Sequence, residues 1–322
     1  MRYSLMTEPQ QGLSYTDILA LVRTAEEAGF ESFFRSDHYG SFPGESGQPT
    51  TDAWTTLGGL ARETSRINLG VLVSPVTFRS PGALAKIVAT VAEMADGRVE
   101  LGMGAGWNEG EHRQHGLAFP SSKERFDMLE EQLAIVHGLW TEPDGWSYEG
   151  RHWSVDGALF YPKPATREGR RHPNLVIGGA GGPRMASLVG RYADELNISS
   201  SSPTQAAQAY ARLDDACAAI GRDPRTVTRS VMTGVLVGRT AAEVRERVGT
   251  LLKVLGNGDG DADADADKWL AERSGRWIIG TPDEAKERVN EFAAAGAERV
   301  MLQDFLPRDL EMVRLLGEVF AG

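Results

Sequence analysis

Val99-Glu100-Leu101-Gly102-Met103-Gly104-Ala105-Gly106-Trp107-Asn108-Glu109-Gly110-Glu111-His112 is the stretch on which the fold reading turns. Its first five residues form a short, mostly apolar run of the kind that makes a buried strand. Glycines at 102, 104 and 106, then at 110, omit the Cβ and let the backbone approach a flat or charged ligand. Trp107, Asn108, Glu109, Glu111 and His112 gather aromatic, carboxylate and imidazole groups close behind. A strand that ends in glycines and then titratable side chains is what the C-terminal mouth of an α/β barrel presents. A tight strand-to-helix turn with a solvated charge cluster is the plainer reading of the same residues.

Outward from this stretch the chain alternates strand and helix. Strand patterns fall at residues 2–6, 32–35, 67–73, 99–103, 174–177, 195–198, 228–237 and 299–302. Helix starts are marked by Ser14 with Asp17, Ser121 with Glu124 and Thr281 with Glu284, and by Pro81 and Pro183 in first turns. One later helix places Tyr210, Leu213, Cys217 and Ile220 on a single face, which makes Cys217 a small core residue. Residues 146–161 read as a hairpin excursion with turns at Glu149-Gly150 and Asp156-Gly157. A helix–glycine–strand joint recurs at both ends of the chain, at Gly29 and Gly296, which suits a closed ring. Eight strands alternating with helices give a (β/α)8 TIM barrel with insertions, ahead of an open doubly wound sheet.

Composition narrows the function. At 322 residues the chain suits one barrel domain over 1–322, with residues 256–268 as a flexible acidic insert. The run from Asp259 to Asp267 repels itself and has nothing apolar to bury; alternate aspartates resemble calcium ligands, but the other marks of an EF-hand are missing. A net charge of −11 argues against a nucleic-acid partner. No apolar run reaches membrane-spanning length. One cysteine rules out an internal disulfide, and a strand that begins at residue 2 leaves no room for a signal peptide, so a cytoplasmic protein is expected.

Four expected strand ends carry chemistry. Asp37-His38 follows the second, and an imidazole near a ligand can hold a proton near neutral pH. Val73-Ser74 follows the third, and the Gly104-to-Glu109 segment the fourth. Gly178-Gly179-Ala180-Gly181-Gly182 precedes a helix, so its amides suit an anion such as phosphate; a glycine-rich joint with no ligand is the alternative. Glu111, His112 and His115 lack the spacing of a metal site, and no metal is expected.

Together, Ser36-Asp37-His38, the segment 74–81, the opening stretch and Ile177 to Gly182 resemble the luciferase-like flavin and deazaflavin family. Tyr192 to Asn197 and Ile279 to Glu284 extend the resemblance nearly to the C-terminus. The variant is most similar to coenzyme F420-dependent oxidoreductases. The resemblance implies a cofactor ring seated against a bulge after the third strand, with a cis peptide at Leu72-Val73 or Val73-Ser74. It places Asp37 and His38 at the ring edge, Leu72, Val73 and Ser74 beneath it, and Ala105, Gly106, Trp107 and His112 beside it. Gly178, Gly179, Ala180, Gly181 and Gly182 would take the phosphate. His38 is the first expectation for the proton donor and Glu109 the second. The implied reaction is hydride transfer between F420 and a small organic substrate; FMN with monooxygenase chemistry, or a non-catalytic cofactor-binding barrel, are the alternatives. A homodimer is compatible with this reading, with no residues assigned to it.

Overall fold

The computed structural model describes residues 1–167, 169–256 and 262–321, and side chains in the last segment from 265 onward. Eight parallel strands form a closed barrel: β1 (Arg2–Thr7), β2 (Ser32–Arg35), β3 (Asn68–Pro75), β4 (Val99–Gly104), β5 (Asn174–Gly179), β6 (Glu195–Ser199), β7 (Thr228–Val237) and β8 (Arg299–Asp304). Each strand pairs with its neighbour in sequence, β1 pairs with β8, and pairing of β6 with β7 completes the ring. The helices are α1 (Tyr15–Glu27), α2 (Ala53–Glu63), α3 (Pro81–Met94), α4 (Glu109–Gln114), α5 (Ser122–Thr141), α6 (Pro183–Tyr192), α7 (Pro203–Ala218), α8 (Ala241–Val254), α9 (Ala262–Arg273), α10 (Pro282–Ala294) and α11 (Leu310–Phe320). Among the described residues no helix is long and apolar enough to cross a membrane.

The local signals explain most boundaries. Reciprocal capping boxes form at Ser14/Asp17 and Ser202/Gln205, Glu284 accepts from the Thr281 amide and hydroxyl, and prolines open α3, α6, α7 and α10. The 146–161 excursion is an antiparallel pair, Trp146–Glu149 with Ser154–Ala158. Its return loop is tied down by Glu131 of α5, which accepts the amides of Arg151, His152 and Trp153 at 2.8–3.1 Å.

Two features depart from the sequence reading, and a third, α11, extends it. α7 ends at Ala218, so Ile220 lies beyond the helix and is exposed, while Cys217 is buried as expected. α11 closes against α1, where Gly317 sits so near Ala28 that a Cβ would approach its side chain to 2.5 Å. The acidic insert lies partly outside the described residues; from Ala262 the backbone is helical, Ala266 and Trp269 are buried, and Asp267 pairs with Arg245 at 2.6 Å. Helix α9 therefore borrows the second half of the acidic run for its first turns, because apolar residues further along anchor it.

The barrel interior is layered. At the N-terminal end Arg299 of β8, 1% exposed, donates to Glu100 of β4 at 2.7 and 2.8 Å and to Glu195 of β6 at 3.0 Å. Ser4 of β1 and Ser32 of β2 accept from the same guanidinium, and Asn174 of β5 donates to both carboxylates. Five strands thus meet on one cation, and β5 joins them through the carboxylates. Above it lie Met6, Phe34, Leu72, Val176 and Met301 as an apolar layer. Above that layer the barrel opens into a cavity of about 820 Å³ at the C-terminal strand ends.

Candidate active site

The cavity begins at an irregularity in β3. Val71 pairs with Leu101 and Ser74 with Met103, so three residues on β3 advance against two on β4, and the Leu72–Val73 peptide between them is cis. The bulge raises Leu72 and Val73 into the cavity lining. It also explains two glycines of the opening stretch. A Cβ at Gly102 would meet the Val71 carbonyl at 2.3 Å, and one at Gly104 would meet Val73 Cγ2 at 2.6 Å. These glycines make room for the bulge more than for a ligand. Gly106, with φ +75°, turns the chain out of β4.

His38, at the end of β2, lines one wall. Its Nδ1 lies 2.9 Å from Glu111 Oε1, and Glu111 also accepts the amides of Tyr39 at 3.0 Å and Gly40 at 3.4 Å. Burial alone would raise the Glu111 carboxyl, but the hydrogen bonds from His38 and the two amides hold it below its ordinary value. An ionised Glu111 can only accept, so His38 Nδ1 donates and Nε2 is left without a protein partner among the described residues. Phe42 and Trp107 meet the His38 ring edge to face, at 4.5 and 5.8 Å between centroids. Trp107 is 66% exposed and forms the rim.

His112, buried on α4, also lines the cavity, and both its nitrogens are used. Nδ1 donates to the Asn108 carbonyl at 2.6 Å, which leaves Nε2 to accept from the Thr77 hydroxyl at 2.6 Å. A third polar group was not visible in the sequence. Ser36 donates to Gln10 at 2.8 Å, Gln10 donates to Glu8 at 2.8 Å, and Gln303 donates to the other Glu8 oxygen. All four line the cavity, brought together because β1 and β8 pair only when the ring closes.

On the far wall Gly178, Gly179, Ala180 and Gly182 run into α6. Gly182 is the N-cap and supplies no side-chain cap, and Pro183 has no N–H, so the Arg184 and Met185 amides are the donors that α6 keeps for a ligand. A Cβ on Gly182 would meet nothing within 4 Å, so the space in front of it is open. Ser199 and Ser200, from the end of β6, line the same cavity.

Four expected residues do not line the cavity. Asp37 is buried behind the wall and ion-paired to Arg79, which also holds Asp52. Burial pushes the Asp37 carboxyl up although Arg79 opposes it. Ser74 is buried, accepting the Trp54 indole N–H at 2.9 Å. Gly181 is buried with its carbonyl held by Arg212 at 3.2 Å. Glu109 stands exposed at the first position of α4, and helical rotation brings Glu111 and His112 inward instead. Leu72, Val73, His38, Ala105, Gly106, Trp107 and His112 do line it. Among the described residues no group of three or more His, Cys, Asp or Glu could hold a metal.

Known proteins agree with this architecture. Residues 1–299 match the luciferase-like monooxygenase family. An F420-dependent glucose-6-phosphate dehydrogenase of Nakamurella multipartita is 37% identical over 181 residues, which span 56% of this chain and 50% of the relative. Its counterpart in Microbacterium testaceum is 33% identical over 233 residues, 71% of this chain and 60% of the relative. The chain thus spans little more than half the length of these relatives. An F420-dependent secondary alcohol dehydrogenase, solved with an F420–acetone adduct, superposes with a TM-score of 0.81 at 21% identity, covering 99% of this chain and 98% of its own. The chain belongs to the luciferase-like monooxygenase family.

Proposed function

We propose that the cavity holds coenzyme F420 and that the chain transfers hydride between it and a small organic molecule. One observation carries this reading: a single cavity joins the Val73 bulge, an open glycine cradle and the His38–Glu111 pair. The residues fit the group. Leu72, Val73, Ala105, Gly106 and Trp107 would border the ring, and Gly178, Gly179, Ala180 and Gly182 with the α6 amides would take the phosphate. The Gly182 side has the open space that such a group needs. When bound, the deazaflavin supplies or accepts the hydride at ring C5. The rest falls to the chain. Glu111 fixes the His38 tautomer, and His38 Nε2 gives or takes the substrate proton. The apolar walls exclude water from the reacting atoms. The F420-dependent relatives favour the deazaflavin over FMN, which shares its ring and phosphate and would make the site a monooxygenase.

Gly182→Leu tests the cradle. Its φ of −69° and the empty space in front of it allow a side chain without strain on the fold. The variant is expected to keep the wild-type melting temperature and to weaken F420 by about 1–3 kcal/mol, through steric block and lost amide contacts. A phosphate-free core of the cofactor should be much less affected. Gly181→Leu is the poor choice, because φ is +68° and a Cβ would meet Ala209 and Ile198 at 2.6 and 2.7 Å. Equal weakening of both ligands by Gly182→Leu places the phosphate elsewhere.

A further inference from the structure

We infer that the substrate is an uncharged, mainly hydrocarbon carbonyl compound, or the alcohol that it becomes, and not a phosphorylated or carboxylated one. The inference rests on the deazaflavin reading and names the substrate class for the same site. It comes from the charges in the cavity wall. Arg184 is the one Lys or Arg among the lining residues, and the residues outside the description include none. Its guanidinium is already committed: it pairs with Asp127, lies 3.7 Å from Glu130, and donates to the Lys123 carbonyl at 3.2 Å. The lining carboxylates, Glu8 and Glu111, face the interior with the sign that repels an anion. The helix-capped glycine cradle is the remaining anion-binding feature, and the cofactor phosphate takes it.

A second anion would therefore enter a partly closed space beside two carboxylates with no free Lys or Arg to pair it, which is unfavourable. The remaining walls are Phe42, Trp107, Phe126, Leu129, Met232 and Phe305, which gain from burying hydrocarbon. Phe305 is braced from outside: it stacks on Trp277 at 5.1 Å and 12°, and Trp277 meets Trp269 of α9 edge to face at 5.1 Å. Apart from Ser199 and Ser200, the polar side chains left for a substrate are His38 and the Ser36–Gln10–Glu8–Gln303 chain. In the reducing direction the carbonyl carbon gains the hydride and its oxygen gains the His38 proton. The C=O π bond is replaced by C–H and O–H bonds, and the reduced deazaflavin loses two electrons; the reverse balances likewise.

The test titrates F420-loaded wild-type protein with 2-butanone, 2-hexanone, 2-octanone and glucose 6-phosphate, reading the absorbance change of bound F420. Each methylene is expected to tighten binding by up to about fourfold. 2-Octanone should therefore bind at least tenfold more tightly than 2-butanone and than glucose 6-phosphate. Affinities that stay flat along the ketone series, or glucose 6-phosphate binding as tightly as 2-octanone, overturn the substrate class while leaving the cofactor reading intact. If F420 itself fails to load, the cofactor reading falls and this inference falls with it.

Discussion

His38→Ala is expected to lower turnover by about two to four powers of ten, the usual contribution of a positioned acid or base. The F420 dissociation constant should stay within about tenfold, a change of no more than roughly 1.4 kcal/mol. The two effects separate because His38 touches the cavity through one ring nitrogen, while the bulge and the glycine cradle lie on other strands. The substitution leaves Glu111 with the amides of Tyr39 and Gly40, so the wall should persist. Glu111→Gln keeps the volume but removes the charge that fixes Nδ1–H, and a loss of up to about a hundredfold is expected from poorer orientation. Glu109→Gln is the control and should be close to wild type, because Glu109 is exposed and off the cavity. Full turnover in His38→Ala with collapse in Glu109→Gln would reverse the assignment. Activity in all three variants would move the proton source to solvent.

Arg299→Met is expected to produce the largest loss of stability, about 3–5 kcal/mol. That corresponds to a melting temperature lower by on the order of 10 °C. Met packs in similar volume, but Glu100 and Glu195 would be left buried together without their cation. The pH dependence gives the sign. Burial alone would raise the Glu100 carboxyl, yet Arg299 and the hydrogen bonds from Ser32 and Asn174 bring it down to about 2. A carboxyl depressed in the folded state stabilises above its unfolded pKa, about 4.3, and loses that contribution as pH falls toward 2. In Arg299→Met the same carboxyl has no cation to hold it ionised, so protonation relieves the fold. The gap in melting temperature should therefore be widest near pH 7 and narrow below about pH 4.5. A gap that is independent of pH would mean that the loss comes from packing and not from charge.

These two residues mark what the sequence could and could not tell. The barrel was legible because each unit carries its own punctuation: a capping box at Ser14, prolines opening α3 and α6, and glycines closing helices at 29 and 296. The place of His38 in the cavity wall was legible because it comes just after the end of β2. Glu8, Gln10 and Gln303 were not, since nothing local marks residues that meet only when β8 closes on β1. Glu109 is the carboxylate that the family loop implies, and a linear reading cannot fix the helical phase that turns Glu111 inward without the helix's first residue. Asn108 was the available signal, since its side chain caps α4 by accepting the Gly110 and Glu111 amides. Gly102 and Gly104 looked like a ligand cradle, yet their neighbour is the β3 bulge across the sheet. Arg299 gave no sign that its partners lay 104 to 295 residues away in sequence.

Everything proposed for this barrel mouth depends on its binding a deazaflavin. The most direct test is equilibrium titration of one protein preparation with F420 and with FMN, followed by absorbance, with oxygen uptake recorded after adding a reductant. Saturable F420 binding at least about tenfold tighter than FMN is expected, a difference of roughly 1.4 kcal/mol, with no oxygen consumed. Tight FMN binding with no response to F420, together with oxygen uptake, would contradict it.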